Sequence, residues 1–415
     1  MNALQVFYHH DSEYVQLLGR LVYKDGLAYL ELNNEFLEQG INISPINLKL
    51  NNSLQVAPRT PFNGLHGVFA DSLPDGWGLL LMDRYFRKKN IPINQITPLD
   101  RLAYMGNRTM GVLSYQPDLG EENDNNLQEI YSLDGLASES LEIFQGSNKE
   151  VSKQLQINGG TPGGARPKAT IGLKDNQAIC GANDLPEGYQ HWLVKFPSGK
   201  SDIEQAEGVV EYVYSIMARK AGIEFPETQL IETEQSTGFF ACKRFDRGTN
   251  NQRIHLHSFA GLIDADFRVP DADYELLMKA TSHLTQSHPD LCEVLRRMIF
   301  NIISGNRDDH TKNFSFLMAA DGTWKLSPAY DVTFNQGING HHTMSVMGYG
   351  KDIPMAAIMR IANMIPLAEK KVNLIIDKVI ESLSEWRSLA KKYDVPLSLI
   401  EEIDCYISAQ IKRLR

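Results

Sequence analysis

A short polar stretch between an apolar helix pattern and two strand patterns constrains the fold of this chain most strongly. Apolar residues recur at helical spacing over 291–303 and stop at Gly305, which is typical of a helix end. The strand patterns FSFLM and TWKLS follow, joined by a turn with an Asp-Gly dipeptide. A hairpin of that length returns Asp331 to the neighbourhood of Asn313. The sequence therefore predicts a helix, a polar loop and a hairpin whose open end lies beside the loop.

The loop itself concentrates polar side chains. Asp308, Asn313 and Asp331 offer oxygen atoms of the kind that Mg²⁺ prefers. In proteins, Mg²⁺ is usually bound by such side chains together with the phosphates of a substrate. Asp308 and Asn313 also have the spacing of the D-x-x-x-x-N loop of protein kinases, in which the Asp accepts the substrate proton and the Asn holds a metal. Each residue alone is more simply a helix cap or a turn former. The whole set favours a site for a metal and a nucleotide.

Two further segments are typical of phosphate contacts. The strand pattern HWLVKFP carries Lys195, which resembles the lysine that contacts phosphates in a kinase sheet. The alternative is that Lys195 lies on an edge strand and extends into water. The next helix offers Glu204, Glu207 and Glu211 as partners, and the sequence does not choose among them. The loop NGGTPGGARPK has four glycines and ends at Lys168, but it matches neither common phosphate-loop motif, so a flexible turn is an equal alternative.

The rest of the chain supplies the domain organisation. Strand patterns around an Asp-Gly turn near residue 25 predict a small antiparallel sheet, and DGWG opens a helix that is interpreted as scaffold. The acidic stretch DLGEENDNN, 118–126, is interpreted as a linker or surface loop. We predict an N-terminal subdomain over 1–120, a β-rich lobe with the glycine-rich loop over 121–250, and a helical lobe over 251–415.

Composition excludes several classes of function. The chain has 415 residues and a net charge of -10, which argues against DNA or an anionic membrane as its main partner. Its four cysteines lie far apart, so neither a disulfide framework nor a paired cysteine metal motif is expected. No apolar run approaches the roughly 18 residues of a membrane span, and the first residues do not resemble a signal peptide. We therefore expect a cytoplasmic protein.

Six motifs together resemble the HipA family of bacterial serine/threonine kinases, the toxin half of a toxin-antitoxin pair. In chain order they are FADSLPDGWG, GGARPKA, WLVKFP, KRFDR, NRDDHTKNFSFL and LSPAYD. The resemblance covers nearly the whole chain, and its last two motifs are highly specific. It implies an α+β, protein-kinase-like bilobal fold with an extra N-terminal α/β subdomain and a helical C-terminal lobe.

The resemblance also implies roles for individual residues. Asp308 would be the catalytic base supported by His310, and Asn313 and Asp331 would hold Mg²⁺. The residues expected to bind ATP are Lys195, Thr161, Gly163, Gly164, Ala165, Lys168, Glu211, Lys243 and Phe245. Family members can autophosphorylate a serine of the glycine-rich loop, and Thr161 occupies that position here beside Pro162.

The implied function is that of an ATP- and Mg²⁺-dependent serine/threonine protein kinase and growth-inhibiting toxin connected with bacterial persistence. Its substrate would be a protein hydroxyl, for example on an aminoacyl-tRNA synthetase or another translation component. A HipB-like helix-turn-helix antitoxin would carry the DNA contacts, so no direct nucleic-acid binding and no membrane are expected. The alternatives are a small-molecule kinase of the aminoglycoside or sugar type and a catalytically silent kinase-fold adaptor.

Overall fold

The computed structural model describes residues 1–11, 13–120, 130–158, 163–175, 177–181, 184–234, 236, 238–270 and 272–415. The chain forms two compact units. The first comprises Met1–Gly199, Ile231–Asp264 and Leu317–Thr323, and the second comprises Lys200–Leu230, Ala265–Phe316 and Trp324–Arg415. Thr161 and most of the acidic stretch that we interpret as a linker lie outside the described residues.

The strands are short, as expected for sheets that alternate with helices. They are β1 (Ala3–His9), β2 (Val15–Lys24), β3 (Leu27–Leu32), β4 (Gln55–Val56), β5 (Leu113–Gln116), β6 (Lys168–Lys174), β7 (Gln177–Cys180), β8 (Gln190–Lys195), β9 (Thr228–Ile231), β10 (Phe239–Lys243), β11 (His255–Ser258), β12 (Ser315–Met318) and β13 (Trp324–Leu326).

The longer helices lie towards the C-terminal end of the chain. The helices are α1 (Asn34–Leu37), α2 (Gly67–Ala70), α3 (Gly76–Lys88), α4 (Pro98–Met105), α5 (Leu133–Phe144), α6 (Lys153–Asn158), α7 (Asp202–Gln205), α8 (Glu207–Lys220), α9 (Phe259–Leu262), α10 (Tyr274–Thr285), α11 (His288–Ser304), α12 (Met355–Ala362), α13 (Glu369–Leu383), α14 (Trp386–Lys392) and α15 (Leu397–Leu414).

The first unit opens with the predicted antiparallel sheet, whose strand order is β4-β3-β2-β1-β5. The turn between β2 and β3 is formed by Asp25 and Gly26, which both have positive φ, at 54° and 77°. Two positive φ values in succession give the turn whose twist matches the flanking strands, and an Asp-Gly pair adopts them readily. The hairpin predicted at this dipeptide is confirmed.

A second group of antiparallel strands follows in the same unit, with β7, β6, β8 and β10 side by side in that order. Alternate side chains of β6 and β8 point into one core, to which Ile171 and Val194 contribute fully buried side chains. Trp77 and Leu81 of α3 belong to the same core. The helix after DGWG therefore packs on the strands that carry the predicted phosphate contacts.

The second unit is mainly helical. Its central helix, α11, is capped by Ser287, whose side chain accepts a hydrogen bond from the Asp290 N–H, and it ends at Gly305 in the left-handed conformation. The predicted end of this helix is confirmed. Farther along, apolar residues recur at helical spacing from Val372 to Trp386, but the structure has two helices there, since α13 ends at Leu383 and α14 begins at Trp386.

The structure contains no membrane-spanning candidate in its described part, since none of the helices there combines the necessary length with sufficient apolar character.

Candidate active site

The polar loop after α11 is fixed from within by a buried carboxylate, Asp309. This residue is 1% exposed and accepts hydrogen bonds from the Tyr274 hydroxyl at 2.8 Å and from the Thr343 N–H at 2.9 Å. Nδ1 of His342 lies 3.0 Å from the same carboxylate. A buried carboxylate with several donors is held in one orientation, because losing any donor leaves charge unsolvated. Asp309 therefore anchors the loop backbone.

Sequence reasoning missed this anchor. His342 is only 6% exposed, and nothing in the sequence around it indicates that burial. In the chain, His342 is 33 positions from Asp309, and Tyr274 is 35 positions from Asp309. The only local signal was the second Asp of the pair at 308–309, and spacing alone gives that residue no role.

Asp308 is exposed, whereas its neighbour Asp309 is buried. Its side chain is 51% exposed. Its backbone carbonyl accepts a hydrogen bond from Nδ2 of Asn313 at 2.8 Å, so the two ends of the loop are tied together. Nε2 of His310 lies 3.9 Å from the Asp308 carboxylate, and the His310 ring packs 5.2 Å from the ring of Phe267. A molecule that diffuses in from solvent can therefore reach the Asp308 carboxylate while the backbone of the loop stays in place.

The open end of the hairpin lies beside the same loop. The Tyr330 hydroxyl donates to the Lys312 carbonyl at 2.7 Å and lies 2.5 Å from the Ser315 hydroxyl. Each of these contacts involves a residue next to, or close to, Asn313 and Asp331. Asp331 has a φ of 54°, a left-handed conformation that Asp tolerates better than most residues. The structure thus brings the segments of the two predicted metal ligands together.

A small cleft, with a cavity volume of about 20 Å³, lies between these segments. Its lining residues are Ile223, Arg297, Phe300, Asn301, Asn306, Asp309, Asn313, Phe314, Ala329, Tyr330 and Val332. Asn306 is 3% exposed, and its Oδ1 has no hydrogen-bond partner among the described residues. An unpaired buried acceptor beside amide and carboxylate oxygens fits a cation or its water ligands. The residues present therefore suit Mg²⁺.

The first unit carries the predicted phosphate-binding lysines. Lys195 ends β8 and lies directly opposite Lys168 at the start of β6, so the two side chains share one face of the sheet. Lys168 is 3% exposed, and its ammonium group donates to the Gly163 carbonyl at 2.7 Å. Nζ of Lys195 lies 5.7 Å from the ring centroid of Phe240. Two cations side by side on one sheet face suit a polyphosphate, which carries several negative charges.

The other predicted nucleotide contacts occupy ordinary positions in the fold. Lys243 ends β10 opposite Trp192, and Phe245 follows it with a half-buried side chain. Glu211 lies on α8 in the second unit and is 2% exposed. Glu207 is half-buried, and Glu204 instead closes a capping box with Ser201. Of the three glutamates left open by the sequence, Glu211 is the buried one.

The KRFDR motif has a structural role in the first unit. The Asp246 carboxylate is fully buried and contacts the guanidinium groups of Arg244 at 2.8 Å and Arg247 at 2.6 Å. It also accepts from the Gly111 N–H at 2.8 Å. Burial alone would raise the pKa of Asp246, but the two arginines hold it well below its usual range. This buried cluster joins the motif to the segment around Thr109.

Comparisons with known proteins match the chain to two family models and to several relatives. The model of the HipA-like C-terminal domain matches residues 160–387, more than half of the chain, and the model of the HipA N-terminal domain matches residues 10–116. A Sinorhizobium fredii protein named "Putative kinase Y4dM" is 30% identical over 227 residues, which cover 50% of this chain and 54% of that protein. A Haemophilus influenzae protein named "Putative kinase" is 25% identical over 231 residues, covering 49% and 65%. The matches thus span about half to two thirds of the length of these curated relatives.

The fold has a counterpart among solved structures. The HipA chain from a complex of Shewanella oneidensis HipA, HipB and operator DNA superposes with a TM-score of 0.69 at 14% identity, over 99% of this chain and 97% of that one. This likeness confirms the predicted α+β, HipA-like fold of the protein-kinase type. With both family models matched in the expected order, the chain belongs to the HipA family.

Proposed function

We propose that the chain is an ATP- and Mg²⁺-dependent serine/threonine protein kinase that phosphorylates a protein hydroxyl. The observation that carries the proposal is the contrast within one loop. The Asp308 side chain is half exposed, whereas the next residue, Asp309, is buried and tied to three partners. An exposed carboxylate on a rigid backbone suits an acceptor that must approach from solvent. The curated relatives named as kinases support the same reading.

In the proposed reaction, Asp308 accepts the proton of the acceptor hydroxyl as that oxygen forms a bond to the γ-phosphorus of ATP. The bond from that phosphorus to the bridging oxygen breaks, and ADP leaves with the electron pair. His310, whose Nε2 lies 3.9 Å from the Asp308 carboxylate, would help to orient it. Loop rigidity supplies positioning, which is the main contribution of a protein to this chemistry.

ATP would be bound by the residues predicted from the sequence. Asn313 and Asp331 would hold Mg²⁺, which when bound neutralises phosphate charge. Lys195 and Lys168 would contact the phosphates, since they already lie opposite each other on one sheet face. Gly163, Gly164 and Ala165 would approach the phosphates through their backbone, and Lys243, Phe245 and Glu211 would complete the nucleotide contacts.

The biological role is inferred from the family. The Shewanella protein was solved in complex with HipB and its operator DNA. We propose that this chain likewise acts as a growth-inhibiting toxin with a HipB-like antitoxin, and that its substrate is a translation component such as an aminoacyl-tRNA synthetase. Autophosphorylation of Thr161 is part of the same proposal.

The test compares wild type with Asp308→Ala. We expect the variant to bind ATP almost unchanged while phosphoryl transfer from radiolabelled ATP to proteins of a cell lysate falls by roughly a hundredfold or more. The matched control is Asp377→Ala, which removes an exposed acid from α13 and should leave transfer unchanged. Undiminished transfer in Asp308→Ala would remove that residue from its proposed role.

The acceptor class is decided in the same assay. Label should enter protein when lysate is offered and should not enter a panel of aminoglycosides and sugars. Label in the small molecules alone would replace the protein kinase by a small-molecule kinase. Absence of any Mg²⁺-dependent ATP turnover, with every acceptor offered, would favour a silent adaptor.

A further inference from the structure

The motif PDGWG, 74–78, has no part in the proposed reaction, although it opens α3 next to the glycine-rich loop. Asp75 is the N-cap residue of α3. An Asp in this position usually accepts hydrogen bonds from the first N–H groups of its own helix and thereby stabilises the helix. The Asp75 side chain makes no such capping bond. Its carboxylate is directed elsewhere.

The carboxylate is directed at the glycine-rich loop. The Gly164 N–H donates to the Asp75 carboxylate. In return, the Trp77 N–H at the start of α3 donates to the Gly164 carbonyl at 3.1 Å. Both backbone groups of Gly164 are therefore taken by the first residues of α3. The helix start and the loop cap each other.

Close packing makes this contact specific for glycine on both sides. A Cβ added at Gly163 would lie 2.5 Å from a carboxylate oxygen of Asp75, and one added at Gly76 would lie 2.6 Å from the Gly164 carbonyl oxygen. Asp75 itself is 7% exposed. A buried carboxylate holds an N–H donor firmly, because breaking a charge-assisted hydrogen bond away from water is costly.

Resting on the proposed kinase function, we propose that Asp75 is a positioning residue that holds the Gly164 amide in competition with a nucleotide phosphate. A carboxylate and a phosphate oxygen are both anionic acceptors for the same kind of N–H group. The amide cannot serve both fully, and the two anions repel at short range. Nucleotide binding at this loop then requires Asp75 to release Gly164, so the start of α3 sets the affinity for nucleotide.

The experiment measures binding of ADP and of a non-hydrolysable ATP analogue, with Mg²⁺, by titration calorimetry. Asp75→Asn keeps the shape and a weaker acceptor but removes the charge, and Asp75→Ala removes both. We expect each variant to bind nucleotide about fivefold more tightly than wild type, which is the order of effect of one removed charge near a phosphate. The matched control is Asp83→Asn, which removes a carboxylate from the same helix that pairs with Arg101 at 2.7 Å, and its affinity should equal that of wild type.

A second measurement separates this inference from the kinase proposal. Hydrogen exchange of the peptide that covers 163–168 should be faster in both Asp75 variants than in wild type without nucleotide, and should be unchanged in Asp83→Asn. If wild type binds no nucleotide but the exchange result holds, the kinase proposal fails and the hold on the loop stands. Unchanged exchange, or affinity that is equal or weaker in Asp75→Asn, overturns the role of Asp75.

Discussion

At the scale of single residues, Asp246 shows how much one carboxylate can hold together. It is the shared partner of Arg244 and Arg247 in a fully buried position. Replacing it with Asn leaves two buried guanidinium groups without their counter-charge. We expect Asp246→Asn to lower the free energy of unfolding by about 3–5 kcal/mol, measured by urea denaturation. Asp321→Asn, in an exposed turn, is the control and should change it by less than about 0.5 kcal/mol. A loss below about 1 kcal/mol for Asp246→Asn would show that the two arginines do not depend on the Asp246 charge.

Buried histidines give the first unit a pH dependence of defined sign. Burial lowers the pKa of His255 to about 3 and that of His66 to about 4. Both side chains stay neutral in the folded state, whereas in the unfolded state they bind protons below about pH 6.5. Their contribution to stability is therefore complete above that pH and is lost as the pH falls from about 6.5 towards 4, by roughly 1.4 kcal/mol per pH unit for each histidine.

The check is urea denaturation at several pH values over that range. His255→Gln removes one titrating group and should flatten the slope, while His283→Gln, on an exposed face of α10, should leave the slope as in wild type. An identical slope for wild type and His255→Gln would show that His255 is not kept neutral by the fold.

The candidate site was predictable from sequence only where its signal is local. Asp308 and Asn313 have a spacing that predicts their shared loop, and the hairpin predicts that Asp331 returns to it. Asp309 could not be recognised, because its donors come from α10 and from the segment around His342. A local sequence pattern cannot predict such partners, because they come into contact only when the chain has folded.

At the scale of elements, close approach of α2 and α9 within the first unit depends on glycine. A Cβ added at Gly67 would lie 2.0 Å from the Gly261 carbonyl oxygen, so the two backbones would have to separate. We expect Gly67→Ala to lower the free energy of unfolding by about 2 kcal/mol or more.

The matched substitution is Gly135→Ala in α5, where the nearest atom to an added Cβ is 3.5 Å away. It should be neutral or stabilising by up to about 1 kcal/mol, because Ala favours helix. Thermal and urea unfolding of both variants measure the difference. Equal stability of the two would show that α2 and α9 have room to move apart.

Elements with strong periodicity were predicted correctly, and their divisions were not. The apolar face of α11 and the hairpin of β2 and β3 follow directly from spacing and turn residues. The pattern from residue 202 onwards predicts one helix, but the structure has α7 followed by α8. Likewise α13 stops before Trp386. Tertiary packing decides such breaks, because a change of direction keeps the same apolar residues buried.

At the scale of the whole molecule, charge sets the expected relation to nucleic acid. The net charge is -10, so the chain as a whole repels a polyanion. We expect no retardation of duplex DNA by the chain alone at physiological salt in a gel-shift assay, and retardation once a HipB-like partner is added. Salt-sensitive retardation by the chain alone would show a local basic surface that outweighs the net charge.

The bond between the Trp77 indole N–H and the Lys168 carbonyl, 3.0 Å long, places a natural fluorophore against the end of the glycine-rich loop. Any ligand that moves this loop also alters the surroundings of the indole, so its emission spectrum reports the event without an attached dye. A stopped-flow fluorimeter could then time the proposed binding of nucleotide in the unmodified chain.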